Sequence, residues 1–179
     1  MKIFIAGARA IANLDEAVIA KLDSISENGY EVLVGDALGA DRLVQQFYVD
    51  KAYRNVTVFA SNGEARNNLG DWRVENIAVK RTLRGFDYYK QKDVAMANAA
   101  DYGLMIWNGE SRGTLNNIVN LLRQEKDCVV YLVSHKRFFN IDSEDKLLSL
   151  LKLCPSAASS QYKKLAAKEA PSYVQIAMF

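Results

Sequence analysis

The sequence predicts an α/β fold, in which a parallel sheet of about five or more strands is covered by helices on both faces. Short apolar runs rich in β-branched and aromatic residues recur along the chain, and segments with helical periodicity separate them. The predicted strands span residues 2–6, 30–34, 56–60, 102–107 and 128–133. This alternation is typical of a parallel sheet that is buried on both sides.

Apolar residues spaced three and four apart predict the helices between these strands. The first helix is marked by Leu14, Val18, Leu22 and Ile25, and Asn28-Gly29 provides its end. The same spacing predicts helices at residues 41–53 and 115–122, and Ser143 begins a later helix that ends before Pro155. The first strand, helix and second strand therefore form one βαβ unit.

Length and charge limit the possible organisation and partners. With 179 residues, half of them apolar, the chain fits one domain, which we place at residues 1–153, with a C-terminal appendage at 154–179. The apolar Tyr173, Ile176 and Phe179 in this appendage fit either a homo-oligomer or packing within one chain. A formal net charge of +2 is too small to attract nucleic acid or an anionic membrane in bulk, so we expect neither as a partner.

The cysteines and the N-terminal segment favour a cytoplasmic protein. Cys128 and Cys154 have no second ligand cluster nearby, which argues against a disulfide framework and against a zinc site. The chain begins with a predicted core strand where a signal peptide would have a long apolar stretch, and no run is long enough to span a membrane. We expect no metal and no required cofactor.

Residues 62–91 interrupt the alternation of strands and helices. This stretch is long and polar and carries four aromatic rings, at Trp72, Phe86, Tyr88 and Tyr89. We expect partial helix and a lid-like role here. Between residues 66 and 92, seven Lys and Arg stand against three Asp and Glu. A solvated surface explains such a charge run, but the interleaved rings also fit nucleic acid, since rings stack on bases while cations meet phosphate.

Three glycine-bearing turns each follow a predicted strand, and a parallel sheet places such turns together at its carboxyl edge. The first turn contains Gly7, Ala8 and Arg9. Gly7 permits a tight turn, and the planar guanidinium of Arg9 suits phosphate or carboxylate. Arg9 can equally pair with a surface acid, so this turn alone leaves a binding role open.

The second turn runs from Gly35 and Asp36 to Gly39, Ala40 and Asp41, where a helix begins. Its glycines leave room for a ligand beside the backbone, and the unpaired N–H groups of the helix can bind an anion. Asp36 and Asp41 also have structural interpretations, as a turn former and a helix cap. If Asp41 contacts a ligand, we expect ribose hydroxyls as its partners, because a carboxylate repels phosphate.

The third turn is the best anion site in the sequence. It comprises Asn108, Gly109, Glu110, Ser111, Gly113 and Thr114, again between a strand and a helix. The two glycines free the backbone, and the hydroxyls of Ser111 and Thr114 can donate to phosphate beside the helix N-terminus. Thr114 also has the simpler interpretation of an ordinary N-cap.

Taken together, these motifs resemble the SLOG superfamily, most closely its YspA-like branch. The resemblance covers about the first three quarters of the chain. It rests on Gly7-Ala8-Arg9, on residues 35–42, on Lys92-Asp93 before a helix that ends at Ala99-Ala100-Asp101, and on residues 106–114. It implies a Rossmann-like fold with a ligand of nucleotide or ADP-ribose type at the three turns. The superfamily includes phosphoribohydrolases and the DNA-processing protein DprA.

Departures from the family pattern shape the functional hypotheses. The phosphoribohydrolases carry a catalytic glutamate where this chain has Asn117, which cannot act as a base, and Ala8 and Asp36 replace a usual serine and glycine. The favoured hypothesis is a sensor or carrier for a small-molecule nucleotide or ribose phosphate. The alternatives are N-glycosidic cleavage or transfer, with Asp36, Asp41 or Glu110 as the carboxylate, and single-stranded nucleic-acid binding.

Overall fold

The computed structural model describes residues 1–80 and 82–167 as seven strands and six α-helices. The strands are β1 (Lys2–Gly7), β2 (Glu31–Gly35), β3 (Val56–Ser61), β4 (Arg73–Ile77), β5 (Tyr102–Trp107), β6 (Cys128–Leu132) and β7 (Arg137–Ile141). The helices are α1 (Glu16–Glu27), α2 (Ala40–Asp50), α3 (Gly85–Ala99), α4 (Arg112–Leu122), α5 (Glu144–Leu151) and α6 (Ser156–Ala166).

The strands form one sheet in the order β4-β3-β2-β1-β5-β6-β7. Every neighbouring pair is parallel except β6 and β7, which are antiparallel. The chain extends the sheet from β1 through β2 and β3 to β4, then returns to the other side of β1 with β5. A crevice opens at the carboxyl ends of the strands where the strand order reverses in this way.

Helices cover both faces of the sheet, so the predicted α/β class with a parallel sheet is confirmed. Along β1 the side chains alternate, with Phe4 in one core layer and Ile3 and Ile5 in the other. The layer around Phe4 packs against α3, α4, α5 and α6, and the opposite layer packs against α1 and α2. In the described ranges, no helix is long and apolar enough to cross a membrane.

Two strands were not predicted, and one motif lies elsewhere than expected. Within residues 62–91 the chain forms β4 and the start of α3, so part of the expected excursion belongs to the sheet. Its role as a lid stays a prediction. Lys92 and Asp93 lie in the middle of α3 and do not precede a helix. β7 adds an antiparallel edge after β6.

The appendage begins with a helix that joins the main core. Ala158, Tyr162 and Leu165 of α6 are buried in the same core layer as α4 and α5. α6 therefore packs on the body of the chain, and the division into a domain and an appendage at residue 153 stays a prediction. Residues 168–179, which include the apolar positions proposed for a homo-oligomer, lie outside the described residues.

Gly39 is fixed by backbone packing, which gives a stability prediction. Its φ is +73°, and a Cβ there would collide with the backbone carbonyl of Arg9. Gly29 has a similar φ of +67° but open space around it. We expect Gly29→Ala to cost about 1 kcal/mol of unfolding free energy from the positive φ, and Gly39→Ala about 1–3 kcal/mol more from overlap. Chemical denaturation of both variants measures the difference; equal losses would show that the contact with Arg9 relaxes freely.

Candidate functional site

The three turns meet at one cleft of about 590 Å³ over the carboxyl ends of β1 and β5. Nine of the residues proposed from the sequence line it: Gly7, Ala8, Arg9, Asp41, Asn108, Glu110, Ser111, Gly113 and Thr114. Five others do not: Gly35, Asp36, Gly39, Ala40 and Gly109. The structure thus brings the three turns together, and a ligand at these residues stays a prediction.

The space beside Gly35 and Gly39 is filled by other atoms of the protein, whereas the sequence interpretation assigned it to a ligand. A Cβ at Gly35 would collide with the carboxylate of Asp41 and lie 2.8 Å from Nζ of Lys92. At Gly39 it would strike the backbone of Arg9. Both glycines therefore allow buried groups to pack behind the cleft.

Ala40 and Gly109 also support the cleft from behind. The N–H of Ala40 donates to the carbonyl of Ala8 over 3.3 Å, which ties the start of α2 to the turn after β1. Gly109 is buried, and a Cβ there would sit 3.5 Å from Sγ of Cys154. These two positions set the shape of the rim without facing the cavity.

The start of α4 presents free hydrogen-bond donors to the cleft. The N-cap is Ser111, whose Oγ accepts from the N–H and the hydroxyl of Thr114 at 3.4 and 3.1 Å, so the N-cap interpretation of Thr114 is wrong. Asn108 Oδ1 accepts the N–H groups of Glu110 and Ser111, at 3.1 and 2.9 Å. Within the described ranges, the next N–H groups, of Arg112 and Gly113, have no hydrogen-bond partner, which leaves them for an anion.

Three guanidinium groups lie over the aromatic rings of Phe86 and Tyr89, which belong to α3. The guanidinium carbons of Arg9 and Arg66 each lie 5.0 Å from the ring centroid of Tyr89, and that of Arg112 lies 3.9 Å from the ring of Phe86. In the described part of the chain, Arg9 makes no ion pair. Its charge is therefore available to a ligand.

Sequence reasoning missed that α3 and the segment before β4 belong to this site. Arg66, Phe86, Tyr89, Lys90, Lys92, Asp93 and Met96 line the cleft, in addition to the three turns. The interleaved cations and rings of residues 66–92 were recognised as a possible binding stretch but were not connected with the turns. The spacing of Phe86 and Tyr89, three residues apart on one helix face, is the signal that could have placed both rings at one site.

Asp36 holds the segment before β4 and is turned away from the cleft. Its carboxylate accepts from Nε and a terminal nitrogen of Arg66 at 3.0 and 2.6 Å, and from the Arg66 N–H at 3.1 Å. Burial alone raises the pKa of Asp36, but these hydrogen bonds and the charges of Arg66 and Lys92 hold it below its ordinary value. Its role is consistent with the turn-forming interpretation, and the geometry gives no support to Asp36 as a catalytic carboxylate.

Asp41 belongs to a buried charge cluster at the base of the cleft. Its carboxylate accepts the N–H of Ala37 at 3.2 Å, so it closes the turn and does not cap α2, whose N-cap is Gly39. Burial raises the pKa of Asp41 to about 6, against the attraction of Lys92. Burial lowers the pKa of Lys92, but Asp93, 3.0 Å away, and Asp41 outweigh this and raise it, so the ammonium stays charged.

Asn117 and Glu110 complete the polar lining. Asn117 lies one turn into α4, is 4% exposed, and its Oδ1 has no hydrogen-bond partner. Glu110 is exposed at the rim. Of the three carboxylates considered for N-glycosidic chemistry, Asp41 and Glu110 reach the cleft. In the described ranges, no three His, Cys, Asp or Glu side chains are grouped so as to hold a metal ion.

The raised pKa of Asp41 predicts a pH-dependent stability. A carboxyl whose folded-state pKa exceeds its unfolded value stabilises the fold while protonated, and this contribution is lost as the pH rises through the folded pKa. Relative to Asp41→Asn, which does not titrate, we expect the wild type to lose on the order of 2–3 kcal/mol of unfolding free energy between about pH 4 and 7. Denaturation curves at both ends of this range measure it. A constant difference between the two proteins would contradict the shift.

No protein-family model matches this chain, and no curated protein matches it. Its fold is similar to that of DNA processing protein A from Helicobacter pylori, a structure described for a unique single-stranded DNA binding mode. The two share 14% sequence identity, with a TM-score of 0.57 over 92% of this chain and 81% of that chain. The similarity agrees with the Rossmann-like fold that the SLOG resemblance implies. The YspA-like branch stays a prediction.

This similarity corrects the expectation that nucleic acid is not a partner. That expectation rested on the formal net charge of +2. A protein with a similar fold binds single-stranded DNA, so the net charge is no ground for exclusion. The physical reason is that phosphate responds to the charges nearest to it and not to the net charge of the chain, and Arg9 and Arg66 line the cleft. The α/β fold is what the sequence, the structure and the comparison jointly support.

Proposed function

We propose that this chain binds single-stranded nucleic acid and that the cleft takes one nucleotide unit of the strand. The observation that carries the proposal is the arrangement of cations and rings at the cleft. Arg9 and Arg66 lie on Tyr89, and Arg112 lies on Phe86, next to the free N–H groups of α4. Single-strand binding combines these two elements, a cationic groove for the backbone and aromatic rings for the bases.

The phosphate is assigned to the α4 side of the cleft. The N–H groups of Arg112 and Gly113 point out of the first turn of the helix, where the helix dipole favours a negative group. Arg9 supplies a full positive charge from the turn after β1. The exposed carboxylate of Glu110 stands near the same rim, so the sugar and not the phosphate is placed beside it.

The base is assigned to the α3 side. Tyr89 and Phe86 are half-buried, and both line the cleft. A base that stacks there extends the existing guanidinium–ring stack, and stacking does not select among bases because each has a π-face. Binding with little sequence preference is therefore expected. The similarity of fold to a protein described with a single-stranded DNA binding mode supports single-strand binding as the function.

A free nucleotide or ADP-ribose-type ligand is the second candidate. The observation in its favour is Asn117, a buried amide on the cleft wall whose Oδ1 has no partner. A small ligand reaching this depth can donate a hydroxyl or amino hydrogen to that oxygen. The affinities of the protein for a mononucleotide and for an oligonucleotide distinguish the two candidate functions. Equal affinity for both favours the free ligand, whereas a much tighter oligonucleotide favours the strand.

Replacement of Arg9 tests the phosphate assignment. We expect Arg9→Ala to weaken binding of a labelled oligothymidylate by roughly 1.5–3 kcal/mol, because a charge-assisted contact is lost. Binding is measured by fluorescence anisotropy over a salt series, and the slope of log K against log salt should fall by about 0.7. Arg54→Ala is the matched control. Arg54 is an exposed arginine just before β3, at the amino ends of the parallel strands, whereas the cleft lies at their carboxyl ends. Equal losses in the two variants would remove Arg9 from the site.

Replacement of Tyr89 tests the base assignment. Tyr89→Ala removes the ring, and we expect a loss of roughly 1–3 kcal/mol in oligonucleotide affinity. Tyr89→Phe keeps the ring and should retain most of the affinity. The same anisotropy titration measures both variants, with thermal denaturation to confirm that each is folded. If Tyr89→Ala binds like the wild type, the ring does not stack on a base.

A further inference from the structure

The strand β4 leaves one edge of the sheet open. It pairs with β3 on one side only, and none of the described residues pairs with its other side. The N–H of Asn62 donates to the carbonyl of Ile77 at 3.1 Å on the β3 side. Because backbone groups alternate along a strand, the residues two and four before Ile77 also face β3. The N–H and C=O groups of Val74 and Asn76 therefore face outward, available to another strand.

The side chains of this edge carry both signs of charge at a fixed spacing. Arg73, Glu75 and Ile77 face α3 and border a groove beside that helix. A terminal nitrogen of Arg73 lies 2.9 Å from Oε2 of Glu75, and both side chains are exposed, at 75% and 42%. Val74 points to the opposite face and is 37% exposed. A row of lysines alone would repel a second copy, whereas this pattern is self-complementary.

We infer that β4 pairs with β4 of a second copy of this chain, antiparallel, around a two-fold axis at Val74. In this register the outward N–H and C=O of Val74 exchange two hydrogen bonds with the same residue of the second copy. Arg73 of each copy then stands directly opposite Glu75 of the other. Two ion pairs between unlike charges and one Val–Val contact form together.

The other two-fold registers are worse on electrostatic grounds. A two-fold axis makes each register place one residue opposite itself. If the axis passes through Arg73, two guanidinium groups meet, and if it passes through Glu75, two carboxylates meet. If it passes through Asn76 or Ile77, neither charge has an opposite charge across from it. The register at Val74 is thus selected by the charges of the strand itself.

The expected dimer is weak. Pairing of two five-residue strands buries less than the area of a standard protein–protein interface, which places it in the transient class. We expect a dissociation constant on the order of micromolar to tens of micromolar.

The test uses charge reversal on the full chain. Arg73→Glu places a carboxylate opposite Glu75 of the partner copy, and Glu75→Arg places a guanidinium group opposite Arg73 of the partner copy. Sedimentation velocity over a concentration series should show the wild type dimerising and each single variant weakened at least about tenfold. The double variant Arg73→Glu/Glu75→Arg restores unlike pairs and should dimerise like the wild type.

Mixing the two single variants gives the sharpest result. A chain with Arg73→Glu and a chain with Glu75→Arg place unlike charges opposite each other at both positions, so a heterodimer should form where neither variant dimerises alone. The control is Lys146→Glu, which breaks the exposed ion pair with Asp142 on another surface and should leave dimerisation unchanged. Thermal denaturation confirms that each variant is folded.

Three results would overturn the inference. The first is a wild type that stays monomeric at protein concentrations up to about a hundredfold above the micromolar range. The second is a dimer that the single reversals leave intact, which would place the interface elsewhere. The third is a mixture of the single variants that stays monomeric while the wild type dimerises, which would show that Arg73 does not lie opposite Glu75 across the interface.

Discussion

The site depends on the way the turn after β1 is tied to its two neighbours. The N–H of Ala8 donates to the carbonyl of Ile106 at 3.1 Å and continues the ladder between β1 and β5, and the carbonyl of Ala8 accepts the N–H of Ala40 at the start of α2. These two hydrogen bonds bring the three turns within reach of one ligand. Gly39 permits the second contact because a side chain there would occupy the place of the Arg9 backbone. Backbone hydrogen bonds and a glycine thus set the position of the three turns around the cleft.

Buried ion pairs then hold α3 and the segment before β4 against the three turns. Asp36 and Arg66 join the β2 turn to the segment before β4, so Arg66 reaches the ring of Tyr89 with its side chain already held. Lys92 carries its charge from the middle of α3 to the base of the cleft, where Asp41 and Asp93 compensate it. Leaving any of these charges unpaired in the interior would be costly, so the cluster holds α3 in one position against the turns. Arg66 is thus held by its ion pair with Asp36, whereas Arg9 makes no ion pair with any described residue.

The sequence predicted the central part of the fold, and nine of the fourteen residues that it proposed on the three turns line the cleft. Buried strands such as Tyr102–Trp107 carry a continuous apolar run, which is readable because both faces are covered. β4 reads Arg-Val-Glu-Asn-Ile and was not recognised, since an edge strand needs no such run. Gly35 and Gly39 were assigned to the ligand although they accommodate Asp41 and Arg9, because a glycine signals close approach without identifying what approaches. The spacing of Phe86 and Tyr89 puts both rings on one face of α3, but it does not show that this face packs against the three turns.

The two proposed surfaces act independently for a geometric reason. A two-fold axis perpendicular to the sheet reverses the strand direction of the second copy, so the carboxyl edges of the two sheets point in opposite directions. Each copy places its cleft over β1 and β5, and β2 and β3 separate it from the paired edge. One short oligonucleotide therefore cannot fill both clefts, and neither binding event alters the charges that drive the other. In the proposed dimer a longer strand would have to turn back on itself to connect the two clefts, so the two proposals together predict that the dimer holds two separate segments and does not extend one track.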